Sequence, residues 1–174
     1  MQDFTAGDLT IRMAGPDDAE VLAGMVGELA EYERLGDINR STAETLRAEL
    51  SAPDGVLEAC LALHQGQPAG MATFFTTYST FAAKRGLYLE DIFVKPAFRH
   101  KGYGTHLLQF VARIAVARDC GRMEWTTLLW NTDAIEFYEA RGATPNDAWT
   151  TYRLIGDSLK RLAKLDADEP AARA

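Results

Sequence analysis

Polar and apolar residues alternate over 9–14, LTIRMA, the period-two mark of a strand with one buried face. GPDD follows, a turn whose proline and acids suit a helix start. Leu22, Met25, Val26, Leu29 and Tyr32 then recur at helical spacing, predicting a helix to about Arg34. STAETLRAELSA (41–52) predicts a second helix, with Ser41 or Thr42 as cap and Glu44 or Thr45 in its first turn. LEACLALHQGQPAGMATFFTTY (57–78) reads as two strands around a polar, glycine-containing turn, hence an antiparallel hairpin. Residues 87–95 predict the next strand. Residues 103–118 predict a helix with Leu107, Leu108, Val111, Ile114 and Ala115 on one face and Gly121 beyond its end. RMEWTTLLW (122–130) reads as a strand, and TDAIEFYEARG (132–142) as a short helix with Asn131 or Thr132 near its cap and Gly142 as its stop. WTTYRLI (149–155) predicts a late strand, DSLKRLAKL (157–165) a last helix, and DADEPAARA (166–174) a fraying, disordered tail. There is no internal repeat and no linker. The order implies one mixed α/β or α+β domain, residues 1–165, around a single sheet.

Composition narrows this picture. The chain has 174 residues, 47% of them apolar, enough for one domain with a core of its own. No apolar run reaches the roughly 18 residues of a membrane span. MQDFTAGDLTIR lacks the basic and apolar regions of a signal peptide, so a cytoplasmic home is expected, with no membrane partner. Cys60 and Cys120 form no metal or redox pattern and read as buried thiols. A net charge of −7 argues against general nucleic-acid binding and permits attraction of cationic ligands. His64, His100 and His106 have no ligand spacing, so no metal is expected.

The chemistry concentrates in YLEDIFVKPAFRHKGYGTHLL, residues 88–108. Glu90 and Asp91 interrupt a core strand, and strict alternation would send them to opposite faces. RHKGYG then places Arg99, Gly102 and Gly104 between a strand and a helix. Glycines allow close backbone approach, the helix head offers N–H groups and a positive dipole end, and Arg99 and Lys101 add charge. Such a loop suits a phosphate or pyrophosphate, with a tight turn bearing solvated basic residues as the plain alternative. It is neither a P-loop nor a dinucleotide fingerprint, since no G-K-[ST] follows and the glycine spacing differs.

This strand and loop resemble the acyl-CoA signature of the GNAT N-acetyltransferase superfamily, R/Q-x-x-G-x-G/A. Its second half is present too, in WNTDAIEFYEARGA (130–143). The resemblance covers roughly residues 9–155 and implies the GNAT fold, a central, mixed, mostly antiparallel sheet flanked by helices. YLEDIFV, ELAEYE (28–33) and WN…FY…RGA are together similar to the spermidine/spermine N-acetyltransferase branch, which acts on polyamines and thialysine-type amines. Three departures stand out. His100 replaces a glycine common in the branch, and Phe81 and Tyr152 stand where the polyamine enzymes carry tryptophans.

The resemblance implies acetyl-CoA as co-substrate, a small cationic amine as acceptor, and a homodimer. By it, Glu90 is the general base and Tyr138 the acid that protonates the departing sulfur. Arg99, His100, Lys101, Gly102, Tyr103, Gly104 and Thr105 would hold the pyrophosphate. Phe93 and Val94 would hold the thioester carbonyl through their backbone, while Asn131 and Phe137 would meet the pantetheine arm. Glu28, Tyr32, Phe81, Asp91 and Tyr152 would line the amine site. Each has a plainer alternative: helix capping for Asn131, core packing for Tyr138, backbone capping or an arginine partner for the two carboxylates, a solvated face for Glu28. Two other functions stay open, transfer to a different amine (amino acid, antibiotic or protein) and non-catalytic acyl-CoA sensing. Retention of both Glu90 and Tyr138 speaks against the sensor.

Overall fold

The computed structural model describes residues 2–163. The chain divides into two compact units, residues up to Leu128 and residues from Leu129 onward. The first unit carries a six-stranded sheet in the order β1 (Phe4–Ala6), β2 (Leu9–Met13), β3 (Glu58–His64), β4 (Gln67–Ser79), β5 (Lys84–Val94) and β6 (Met123–Glu124). Neighbouring strands are antiparallel except the β5–β6 pair, which is parallel. This is the mixed, mostly antiparallel sheet that the resemblance implied.

One sheet face is covered by α1 (Ala19–Tyr32) and α2 (Ala43–Ser51). Leu22, Met25 and Leu29 of α1 pack on Ala59, Leu61, Met71 and Phe93, and Leu46 and Leu50 of α2 join them. α2 starts at Thr42, whose hydroxyl accepts the Thr45 N–H while the Thr45 hydroxyl accepts the Thr42 N–H, a reciprocal capping box. The opposite face carries α3 (Tyr103–Ala117), which buries Leu107, Leu108, Phe110, Val111, Ile114 and Ala115. Gly70 marks how closely the layers approach. A Cβ there would stand 2.6 Å from the Phe93 carbonyl and 3.2 Å from Leu107.

Two forked arginine–carboxylate pairs tie helices to strands. Arg12 of β2 reaches Asp18 through two bonds of 2.7 Å just before α1, and Arg118 after α3 holds Glu58 of β3. The Arg12 guanidinium holds the Asp18 carboxyl below its ordinary value.

The second unit contains α4 (Thr132–Glu139) and α5 (Gly156–Ala163). Two expected strands are corrected here. Over 122–130 only Met123–Glu124 pairs, and residues 149–155 form no strand at all, with Trp149 and Tyr152 exposed. β-branched and aromatic composition marks what fits a sheet, but a strand exists only where a partner edge takes it. β1, three residues long, has no pattern to announce it. The tail at 166–174 lies outside the described residues. Among those described, no helix is long and apolar enough to cross a membrane.

Candidate active site

β5 is where the sheet opens. Its ladder to β6 holds Leu87 against Met123 and Tyr88 against Glu124 and ends there. From Leu89 to Val94, β4 is its one ladder partner among the described residues. That half-strand carries both carboxylates.

The β4–β5 register slips there. Phe74 pairs with Leu89 and Thr73 with Asp91, so Glu90 is an extra residue, a β-bulge. Simple alternation therefore does not assign the face of Glu90, which is exposed. Asp91 is held instead. Its carboxylate accepts the Thr73 hydroxyl at 2.8 Å, and its N–H donates to the same oxygen at 3.1 Å. Burial pushes the Asp91 carboxyl up from its ordinary value, against the opposing pull of the Thr73 bond. Glu33, at the C-terminal end of α1, is also raised, first by burial and then by the charge of Asp91. Two neighbouring carboxylates with raised values, one of them raised partly by the other's charge, are suited to receiving a cation and a proton. Glu33 caps α1 rather than continuing it, which helical spacing alone does not show.

A cavity of about 300 Å³ is lined by Glu28, Glu31 and Tyr32 of α1 together with Phe93, Pro96 and Arg99. Lys95 pairs with Glu28 at 2.9 Å. The structure thus brings together Glu28, Tyr32, Phe93 and Arg99. Phe81 is not among them: it sits fully exposed on the turn between β4 and β5. A larger apolar hollow of about 710 Å³ beside α3, lined by Phe4, His106, Phe110 and Val116 among others, contains no carboxylate.

The glycine loop follows a short 3₁₀ turn, Pro96–Phe98. Gly102, at φ +81°, caps α3, and His100 also takes a positive φ, +61°. The glycine common at this position in the branch fits that conformation without strain; here a histidine is forced into it. Tyr103, the first residue of α3, is buried and its hydroxyl lies 2.6 Å from His64 Nδ1 at the end of β3. His64 also packs on Phe98, whose ring faces Lys101. The head of α3 is thereby pinned, with its first-turn N–H groups, including those of Gly104 and Thr105, lying at the helix terminus that favours anions. Arg99 turns its side chain elsewhere, donating from Nε to the Val94 carbonyl at 3.1 Å, with its guanidinium 4.9 Å from the Tyr32 ring centre.

In the second unit, Asn131 caps α4 by accepting the Ala134 N–H, and Gly142, φ +85°, follows its end. Phe137 meets Tyr138 edge-on at 5.2 Å and lies under the Arg141 guanidinium at 3.7 Å. Tyr138 is half-buried and Tyr152 exposed.

Residues 24–143 match the family model described as the acetyltransferase (GNAT) family. A thialysine N-epsilon-acetyltransferase of Caenorhabditis elegans is 33% identical over 151 residues, covering 85% of this chain and 92% of that protein. An L-ornithine N5-acetyltransferase of Arabidopsis thaliana is 46% identical over 98 residues, 56% of this chain and 43% of that protein, so the match spans less than half of that relative's length. An integron cassette protein from the mobile metagenome of V. cholerae superposes with a TM-score of 0.76 at 27% identity, covering 90% of this chain and 98% of that one. An open half-strand bearing carboxylates, a glycine loop heading a helix, and these matches agree: the chain belongs to the GNAT acetyltransferase family and is an N-acetyltransferase.

Proposed function

We propose that one catalytic domain, residues 1–165, moves an acetyl group from acetyl-CoA to a primary amine of a small cationic substrate, a polyamine, a diamine or a thialysine-like amine. The observation that carries this reading is a half-buried carboxylate on β5, Asp91, whose charge acts on Glu33 at the end of α1, on the strand that leads into a glycine-headed helix. The relatives' names support it, since thialysine and ornithine both offer a side-chain amine.

The pyrophosphate is held by the backbone of residues 99–105 at the head of α3, with Lys101 adding charge. The thioester carbonyl is held by backbone N–H groups near Phe93 and Val94. An alkylammonium has a pKa near ~10.4 and must lose a proton before it attacks. Glu90 or Asp91 takes that proton, directly or through water. The amine nitrogen bonds to the carbonyl carbon, the carbon–sulfur bond breaks, and Tyr138 returns a proton to the sulfur. Asn131 and Phe137 receive the pantetheine arm by the motif they occupy. The enzyme works in the cytoplasm as a homodimer on free small molecules, without nucleic-acid or membrane partners.

The test is a thiol-release screen of acetyl-CoA against diamines, polyamines, thialysine and aminoglycosides. The reading expects turnover with the first three classes, and acetyl-CoA binding without transfer to any amine would leave a sensor instead. Tyr138→Phe should slow turnover while leaving acetyl-CoA affinity intact. General acid help is worth about 10²–10⁴-fold, and a thiol leaving group puts this case at the low end. Turnover within about twofold of the parent would make Tyr138 a packing residue.

A further inference from the structure

The bulge at Glu90 changes which side chains of β5 stand together. Tyr88 and Asp91 are three residues apart, and in a regular strand they would face opposite sides of the sheet. The extra residue cancels that offset. Tyr88 pairs with Phe75 and Asp91 with Thr73, and Phe75 follows Thr73 by two residues on β4. These four side chains therefore share one sheet face, the face on which Met71 packs against α1.

The rings of Phe75 and Tyr88 are stacked there, with centres 5.2 Å apart and planes 30° from parallel. The Tyr88 hydroxyl donates to the Thr126 hydroxyl at 3.3 Å, which tethers its ring from the far end. Among the described residues neither ring belongs to the core cluster under α1 and α2, and each is only half-buried. The Asp91 carboxylate is aimed by the Thr73 hydroxyl, which donates to it at 2.8 Å from a side chain 3% exposed. On β4 the Phe75 row lies about 7 Å from the Thr73 row, two residues at ~3.3 Å each. A carboxylate fixed in direction thus stands one row from two ordered aromatic faces. An ammonium gains from both, from the carboxylate by its charge and from the rings by their quadrupole. Phe81 and Tyr32 do not offer this: Phe81 stands exposed on its turn, and the Tyr32 ring already carries the Arg99 guanidinium.

Resting on the reading of this site as one that acetylates a cationic amine, we infer that Phe75 and Tyr88, with Asp91, form the seat that takes the acceptor's ammonium before it gives up its proton. The seat binds the charged amine and not the transition state, so it sets KM for the amine. Aromatic faces read charge without needing an N–H bond, so a quaternary ammonium fits the seat although it cannot be acetylated.

The probe is therefore choline, beside its uncharged isostere with carbon in place of nitrogen. Each is tested as an inhibitor against the amine turned over fastest in the thiol-release screen. Binding of each is also titrated directly by NMR, in the parent and in Phe75→Leu, Tyr88→Leu and Tyr88→Phe. Calorimetry with CoA reports on folding and on the donor site. Choline should compete with the amine and not with acetyl-CoA, and the isostere should bind at least about tenfold more weakly. Loss of either ring to leucine should weaken choline roughly 2–30-fold, the worth of a cation–π contact, and raise KM for the amine with it. Tyr88→Phe should recover most of what Tyr88→Leu loses, because the ring returns without the hydroxyl. Leucine variants that bind choline as the parent does overturn the inference. So does choline that binds without displacing the amine, and so does a ring variant that loses CoA affinity in proportion, since the rings would then only support the fold. If the leucine variants do not fold, the isostere decides with the parent alone: binding equal to that of choline makes the pair an apolar patch and sinks the seat. Acetyl-CoA binding without acetylation of any amine rejects the transferase reading, and the inference falls with it only if ring loss also leaves choline binding unchanged.

Discussion

Asp91 shows how a carboxylate can be both costly and useful. Burial raises its pKa, so the folded state holds a proton that the unfolded chain, with an ordinary value of 3.8, has already released. Stability from this group is therefore present below the unfolded value and is lost as pH rises through the raised folded value. At neutral pH the charge is a net burden. Asp91→Asn keeps an acceptor for Thr73 and removes the charge, so it should raise the melting temperature at pH 7, with the gain vanishing in melts below about pH 4. The same variant should raise KM for the amine and leave KM for acetyl-CoA unchanged. Glu90→Gln is its control: if only that variant shows the amine-specific defect, the bulged residue is the base and Asp91 a support. The presence of two acids in this strand was legible from the sequence. Their orientation was not, because the bulge follows from pairing with β4, a distant segment. His100 is the second case. At φ +61° it bears a steric cost of about 1–2 kcal/mol that glycine avoids, against about 0.5–1 kcal/mol of extra unfolded-state entropy for glycine. His100→Gly should thus gain up to about 1.5 kcal/mol, a rise of at most roughly 3–6 °C in thermal melts. A lower melting temperature would mean that the imidazole makes a contact worth more than the strain.

Elements announced by local chemistry were read correctly. The capping box Thr42–Thr45, the Asn131 cap with its Gly142 stop, and the apolar stripes of α1 and α3 are each set within a few residues of chain. Elements that exist only by pairing were not. β6 shrinks to Met123–Glu124, and residues 149–155 have strand composition without a strand. The pinning of α3 belongs to the same hidden class, since His64 and Tyr103 are far apart in sequence and lie 2.6 Å apart in the fold. Tyr103 is 7% exposed, so removing its partner strands a buried hydroxyl at a cost of about 1–3 kcal/mol. His64→Leu should lower the melting temperature and weaken CoA binding several-fold in calorimetry, while KM for the amine barely moves. Tyr103→Phe should do the same, and the double variant should be no worse than either single one. Undiminished CoA affinity in a folded His64→Leu protein would reduce the contact to packing.

For the whole molecule, the net charge of −7 and pI near 5.0 set a field that reaches any cation before it touches the site. The Debye length falls from about 30 Å at 0.01 M salt to about 3 Å at 1 M, so added salt removes this attraction while leaving close contacts in the cavity largely in place. The attraction acts on the acceptor's total charge, whereas the cavity reads its local pattern. Putrescine, with two ammonium groups, should therefore lose kcat/KM more steeply with salt than L-ornithine, whose carboxylate cancels one charge. The ornithine-to-putrescine ratio of kcat/KM should then rise from low to high salt. A ratio that stays flat would mean that long-range charge does not steer acceptors to this enzyme.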